Sequence, residues 1–143
     1  MRPEVGTILG LSVQKLALGI SQEGAAFAQG TVGLLSMVLT LAAKEYERGA
    51  DIRFTENREI RALFAELAPI VKDATLRAEL TEAAAESDPS LRISDLNGAN
   101  YTLRRLLTRL LIDAEERGAL DAQKRIWAVL KALAERRLVQ LGP

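Results

Sequence analysis

The sequence predicts an all-α protein: an up-and-down antiparallel bundle of five or six helices forming one domain over residues 1–143. Three observations carry this. Apolar residues recur every three or four positions along most of the chain, Gly, Pro, Asp and Ser gather between those runs, and no stretch alternates apolar and polar residues as a half-buried strand does. The composition agrees, because 48% of residues are hydrophobic but only 4% aromatic, so a core must be built from interdigitating Leu, Ala, Val and Ile. A chain of this length buries about two-thirds of its unfolded surface without a disulfide or metal.

Pro3 fits a first helical turn, and Val5, Leu9, Val13, Leu16 and Ile20 follow at helical spacing, predicting a first helix that ends near Gly19. Ser21 is the expected N-cap of a second helix running to about Gly49, where Gly49 and Asp51 supply a stop and Lys44–Arg48 a solvated last turn. Thr55, with Glu56 and Glu59, is expected to open a third helix whose Ile60, Leu63, Phe64, Leu67 and Val71 face one way. Pro69 should kink or end it, since proline lacks the N–H the helix needs. Asp73 can cap a short fourth helix over Ala74–Ala85 that carries Leu76 and Leu80. Ser87-Asp88-Pro89-Ser90 breaks the chain, and residues 87–93 are the best place for a mobile loop. Ser94 is expected to cap a fifth helix with an apolar stripe through Leu96, Leu103, Leu106, Leu107, Leu110 and Ala114, ending at Gly118. Asp121 is expected to cap the last helix, in which Ile126, Trp127, Leu130, Leu133 and Leu138 precede the Gly142-Pro143 stop. There is no internal repeat at a solenoid period.

Charge is balanced globally, at 19 basic and 19 acidic residues, so no net field favours nucleic acid or an anionic membrane. It is unevenly distributed. Residues 1–43 are neutral, residues 44–90 hold seven basic and eleven acidic groups, and residues 91–143 hold ten basic and six acidic. Helices of opposite sign lying side by side in one bundle are the simplest account, and head-to-tail or antiparallel self-association is the sharper one. Gly24–Ala43 runs twenty residues without a charge, about the length that crosses a bilayer. Gln29, Thr31, Ser36 and Thr40 interrupt it, as do three glycines, and no basic flank marks an interface. A buried or partner-covered helix is therefore expected there, with a single membrane span over 24–43 as the weaker alternative. The absence of cysteine fits a reducing compartment, and a cytoplasmic location is expected.

Chemistry is narrowed mainly by what is missing. With no His and no Cys, the common general base, the commonest metal ligand and the thiol nucleophile are all excluded, and with them Ser-His-Asp catalysis and Glu-x-x-His di-iron sites. Glu45 with Glu47 and Glu115 with Glu116 diverge around a helix and read as solvated faces, so no metal or other cofactor is expected. Two polar groups remain. Asn97, Asn100, Tyr101 and Arg104 stand at offsets of three and four near a helix start, beside Arg105. There amide, phenol and guanidinium groups could hold a carboxylate or phosphate, or simply bond neighbouring loops. Arg53, Arg58 and Arg61 beside Phe54 form the second; fourteen arginines to five lysines favour fixed ion pairs, and nucleic acid is not an expected partner because acids are interleaved with these bases.

No motif identifies a family. In helix order and spacing, the ends Glu47-Arg48-Gly49 and Glu116-Arg117-Gly118 resemble small helical proteins found beside bacterial acyl-CoA dehydrogenases, a likeness of shape that carries no site. The expected function is a non-enzymatic interaction module, a homodimer or other homo-oligomer joined through the Gly24–Ala43 helix or the Trp127 helix, serving as an accessory subunit or adaptor. The alternative is a binder of a small anionic metabolite or acyl group, or a weak acid/base enzyme, with a pocket lined by Gln29, Asn100, Tyr101 and Arg104. Those polar groups converging on a cavity would favour the second reading. A filled core with an exposed apolar stripe would favour the first.

Overall fold

A computed structural model describes the backbone of residues 5–18 and 26–138. The described residues are all-α: α1 (Val5–Leu18), α2 (Ala26–Leu67), α3 (Ala74–Ala85), α4 (Ile93–Glu116) and α5 (Leu120–Arg136), with a 3-10 turn over Ala68–Ile70. The helical bundle expected from apolar periodicity is the fold the chain adopts. Pro3, Gly19, Ile20, the Ser21 cap and the Gly142-Pro143 stop lie outside the described residues. Two compact units are distinguished, Met1–Gly49 with Val139–Pro143, and Ala50–Leu138.

The expected break between a second and a third helix does not occur, since α2 continues through Gly49, Asp51 and Thr55 to Leu67. A helix-interior glycine costs about 1 kcal/mol relative to alanine and aspartate somewhat less. Against that, Ile52 is buried, which returns about 1.5–3 kcal/mol, and the positions Ile52, Glu56, Ile60, Leu63 and Leu67 stay on one buried face at spacings of three and four. Continuity of that face outweighs the weak stop signals. Pro69 does end the helix, and it sits in the 3-10 turn where its missing N–H is harmless.

The core of the second unit joins four helical faces. Ile60, Leu63, Phe64 and Leu67 of α2 meet Leu76 and Leu80 of α3, the stripe Leu103, Leu107, Leu110 and Ala114 of α4, and Ala122, Ile126, Val129 and Leu133 of α5. On α5 the buried register runs 122–126–129–133, so Trp127 lies on the other side and is 56% exposed, and Leu138 falls beyond the helix end. Trp127 and Leu138 are thus not core residues, whereas Val129 is. Asp73 caps α3 as expected, its Oδ1 accepting from the amides of Thr75 at 2.8 Å and Leu76 at 3.0 Å. Ser94 and Asp121 are not caps. α4 begins after Arg92 and α5 after Ala119, neither with a side-chain cap, so Ser94 and Asp121 stand inside their first turns. α4 stops at Glu116 because Gly118 turns left-handed (φ +64°), letting the Ala119 amide reach the Ala114 carbonyl at 2.9 Å and the Gly118 amide that of Glu115 at 3.0 Å.

The first unit is built differently. No described side chain of residues 8–48 is fully buried. Val32, Ser36, Leu39 and Ala43 form a half-buried stripe on α2, while Leu34, Leu35, Met37 and Val38 are about half exposed or more. No helix among the described residues is long and apolar enough to cross a membrane.

Candidate functional site

The polar residues of the second unit gather where the middle of α2, the start of α4 and the end of α5 meet. The centre is Glu56. Because it shares the register of Ile52 and Ile60, the helix carries its carboxylate inward, where it is fully buried. Burying a lone carboxylate costs several kcal/mol in a protein interior, so counter-charges must accompany it. Arg137 supplies a two-point contact, Nε to Oε1 at 2.6 Å and Nη2 to Oε2 at 2.5 Å. Arg104 Nη2 stands 3.5 Å and Arg53 Nη1 3.9 Å from Oε2, and Asn100 Nδ2 donates to it at 3.1 Å. Burial pushes the Glu56 carboxyl up, but the Arg137 hydrogen bond and charge, with the charges of Arg104 and Arg53, more than offset it and hold it below its ordinary value.

Asn100 is the hinge pin of this cluster. Its Nδ2 donates to Glu56 and, at 2.9 Å, to Asn57 Oδ1, while its Oδ1 accepts from Arg104 Nε at 3.0 Å and Arg137 Nη2 at 3.1 Å. The fully buried Asn57 donates in turn to Asp88 Oδ1 at 3.0 Å and to the Leu96 carbonyl at 3.1 Å. Arg61 Nη1 reaches the same Asp88 oxygen at 2.9 Å. Asp88, placed by sequence in the loosest loop, is thus anchored from α2. On the neighbouring turn Arg136 holds Glu59 at two points, 2.9 and 2.6 Å, and this bond raises the Arg136 guanidinium above its usual value.

Of the residues singled out by sequence, Asn100 and Arg104 belong to the network, and Asn97 lies beside it, its Oδ1 accepting from Arg53 Nε at 2.8 Å. Tyr101 does not join them. It is one position out of register, exposed, and its ring lies 6.0 Å from the Arg105 guanidinium carbon. Gln29 is helical in the first unit, and its side chain lies outside the described residues. Glu56, Asn57 and Asp88 carried no sequence signal as a site, because their partners are far along the chain; the one trace was Glu56 and Asn57 standing in the register of buried Ile and Leu.

A general base must have a free lone pair and a proton affinity near neutrality. Glu56 lacks the second, since its pKa is depressed, and both of its oxygens already accept from Arg137. Asn100 has both amide hydrogens and its oxygen engaged. The network therefore acts as a clamp. Among the described residues, no group of three or more acidic side chains could hold a metal ion. A wide cleft of about 610 Å³ opens between α3 and α4, with Glu79, Glu82 and Glu86 facing Arg105 and Arg109, and an Arg109–Glu79 ion pair spans it.

The charge division seen in the sequence is resolved here by pairing. Glu56, Glu59, Glu66 and Glu79 of the acidic segment all find arginines of the basic one, Arg125 closing on Glu66 at 2.9 Å. Among the described residues, one buried side-chain donor is left over: Arg61 Nε meets no acceptor. Leaving such a donor unpaired costs about 1–3 kcal/mol. Comparison with protein-family models finds no match, and comparisons with curated proteins and with solved structures find none either.

Proposed function

We propose that this chain is a non-enzymatic interaction module that associates with a second copy of itself through the N-terminal half of α2. The observation that carries this reading is the exposure of Leu34, Leu35, Met37 and Val38 on a helix segment that is apolar on nearly every side. A helix of that kind is ordinarily covered, and leaving four large apolar side chains in water wastes about 25 cal/mol for each Å² of apolar surface. The partner is argued from charge. A two-fold interface sets each residue against its own copy or near neighbours, where like charges repel; the segment from 24 to 43 contains no charge to oppose. Gly30 and Gly33 have open space where a Cβ would stand, so a neighbouring helix can come close. Trp127 is a poorer seat, since Lys124 and Lys131 flank it one turn away on either side. The clamp around Glu56, whose carboxyl is held below its ordinary value, favours a scaffold over an enzyme.

Native mass spectrometry of the full chain tests this. A complex at an integer multiple of 15.6 kDa is expected, and the double variant Leu34→Glu/Val38→Glu should run as a monomer with its helical content retained. A wild-type chain that stays monomeric throughout the micromolar range would overturn the proposal.

A further inference from the structure

The N-terminal half of α2 carries a stripe that is hollow at one end and raised at the other. Gly30, Gly33, Leu34 and Met37 fall at spacings of three and four, so they share one side of the helix, and all four are exposed. The two glycines come first, and a Cβ added at either meets nothing within 4 Å. Leu34 and Met37 then project from the same side. A helix-interior glycine costs about 1 kcal/mol relative to alanine, and no close contact within the chain offsets that cost at these two positions. A neighbour that packs into the hollow would.

The orientation of that neighbour can be argued on the premise that it is the second copy proposed above. In a parallel pair every position meets itself. Leu34 and Met37 then abut their own copies and hold the helices apart, while glycine faces glycine across a gap that no side chain fills. In an antiparallel pair centred between residues 33 and 34, Leu34 of one copy meets Gly33 of the other, and Met37 meets Gly30. Large then lies on small along the whole stripe, which is how helices pack closely. Charge agrees. The uncharged segment follows Glu23 and precedes Lys44, so reversal brings unlike charges to each shared end, whereas a parallel pair sets like against like.

We propose that the two copies lie antiparallel along α2, with the two-fold axis between Gly33 and Leu34, so that Leu34 and Met37 of each fill the hollows at Gly33 and Gly30 of the other. Each copy supplies both halves of the contact, as a two-fold interface requires. The glycines thus set the register of the pair, and the large side chains supply the buried apolar area.

The chain has no cysteine, so Glu45→Cys accepts a single nitroxide label at an exposed position beside the stripe. Residue 45 stands eleven and a half residues from the proposed axis, which at a rise of about 1.5 Å per residue places the two labels roughly 35–45 Å apart in the full-length pair. Double electron–electron resonance reads that distance. A separation of about 25 Å or less would mean parallel helices and would overturn the arrangement while leaving self-association standing. Absence of any dipolar coupling, with a monomer in native mass spectrometry, would overturn both. A second measurement checks the register. Gly30→Leu fills the hollow without a clash inside its own chain, so it should keep its helical content and weaken association about tenfold or more. Adding Met37→Ala makes room for the new leucine and should recover most of the loss. In a parallel pair positions 30 and 37 never meet, so a double variant no tighter than Gly30→Leu would overturn the proposed register.

Discussion

The two ends of α2 solve opposite problems. From Ala50 to Leu67 the helix carries charge inward, with Glu56, Asn57 and Arg61 buried beside Ile60 and Phe64. From Gly30 to Ala43 it has no charge and turns Leu34, Leu35, Met37 and Val38 outward. The difference teaches that polarity alone does not decide burial. A carboxylate goes inside when three guanidiniums and an amide meet it there, and a leucine stays outside when nothing has been supplied to cover it.

The contrast breaks most sharply under matched truncations. Leu63→Ala, at a site 1% exposed, should cost on the order of 3 kcal/mol in urea unfolding because it opens a hole in a filled core. Leu34→Ala, at a site 60% exposed, should change folding stability by about 0.5 kcal/mol or less and show its effect in the association measurement instead. Equal losses at the two sites would mean that the two ends of the helix are not different in kind.

Glu56→Gln comes next. It keeps shape and leaves an acceptor for Asn100, but removes the charge that three arginines face, and should cost about 2 kcal/mol at neutral pH. The pH dependence follows from the depressed carboxyl. Its stabilisation is complete above the ordinary value of 4.5 and is lost as pH falls through the lower folded value. Wild type and Glu56→Gln should therefore converge in stability as the solution is acidified below that point, and a gap that persists at low pH would show that Glu56 acts by shape alone. The smallest effect is the cap: Asp73→Ala should lower stability by about 1 kcal/mol, measured by thermal unfolding, since two α3 amides lose their acceptor.

Legibility in the sequence followed the range of the interactions. The α4 stripe was readable because Leu103, Leu107, Leu110 and Ala114 repeat within one helix, and the Asp73 cap because its partners are two and three residues away. The false break at Gly49–Thr55 arose from the same local reasoning, since residues that often stop helices stand there and the buried face that overrides them is apparent only once Glu56 and Asn57 are counted as interior. Asn100 and Arg104 were found by spacing. What they bind was not, because Glu56 lies 44 positions before Asn100 and Arg137 lies 37 after it.

That last separation governs synthesis as well as stability. Arg137 stands 81 residues after Glu56, and Arg136 stands 77 after Glu59. A chain emerging from the ribosome completes α2, α3 and α4 while their central carboxylate still lacks its two-point partner, so the polar centre closes only when the final turn of α5 arrives. The end of the last helix thus works as a latch on the middle of a helix made long before, and a chain interrupted short of Arg136 is left with an interior charge that favours reopening.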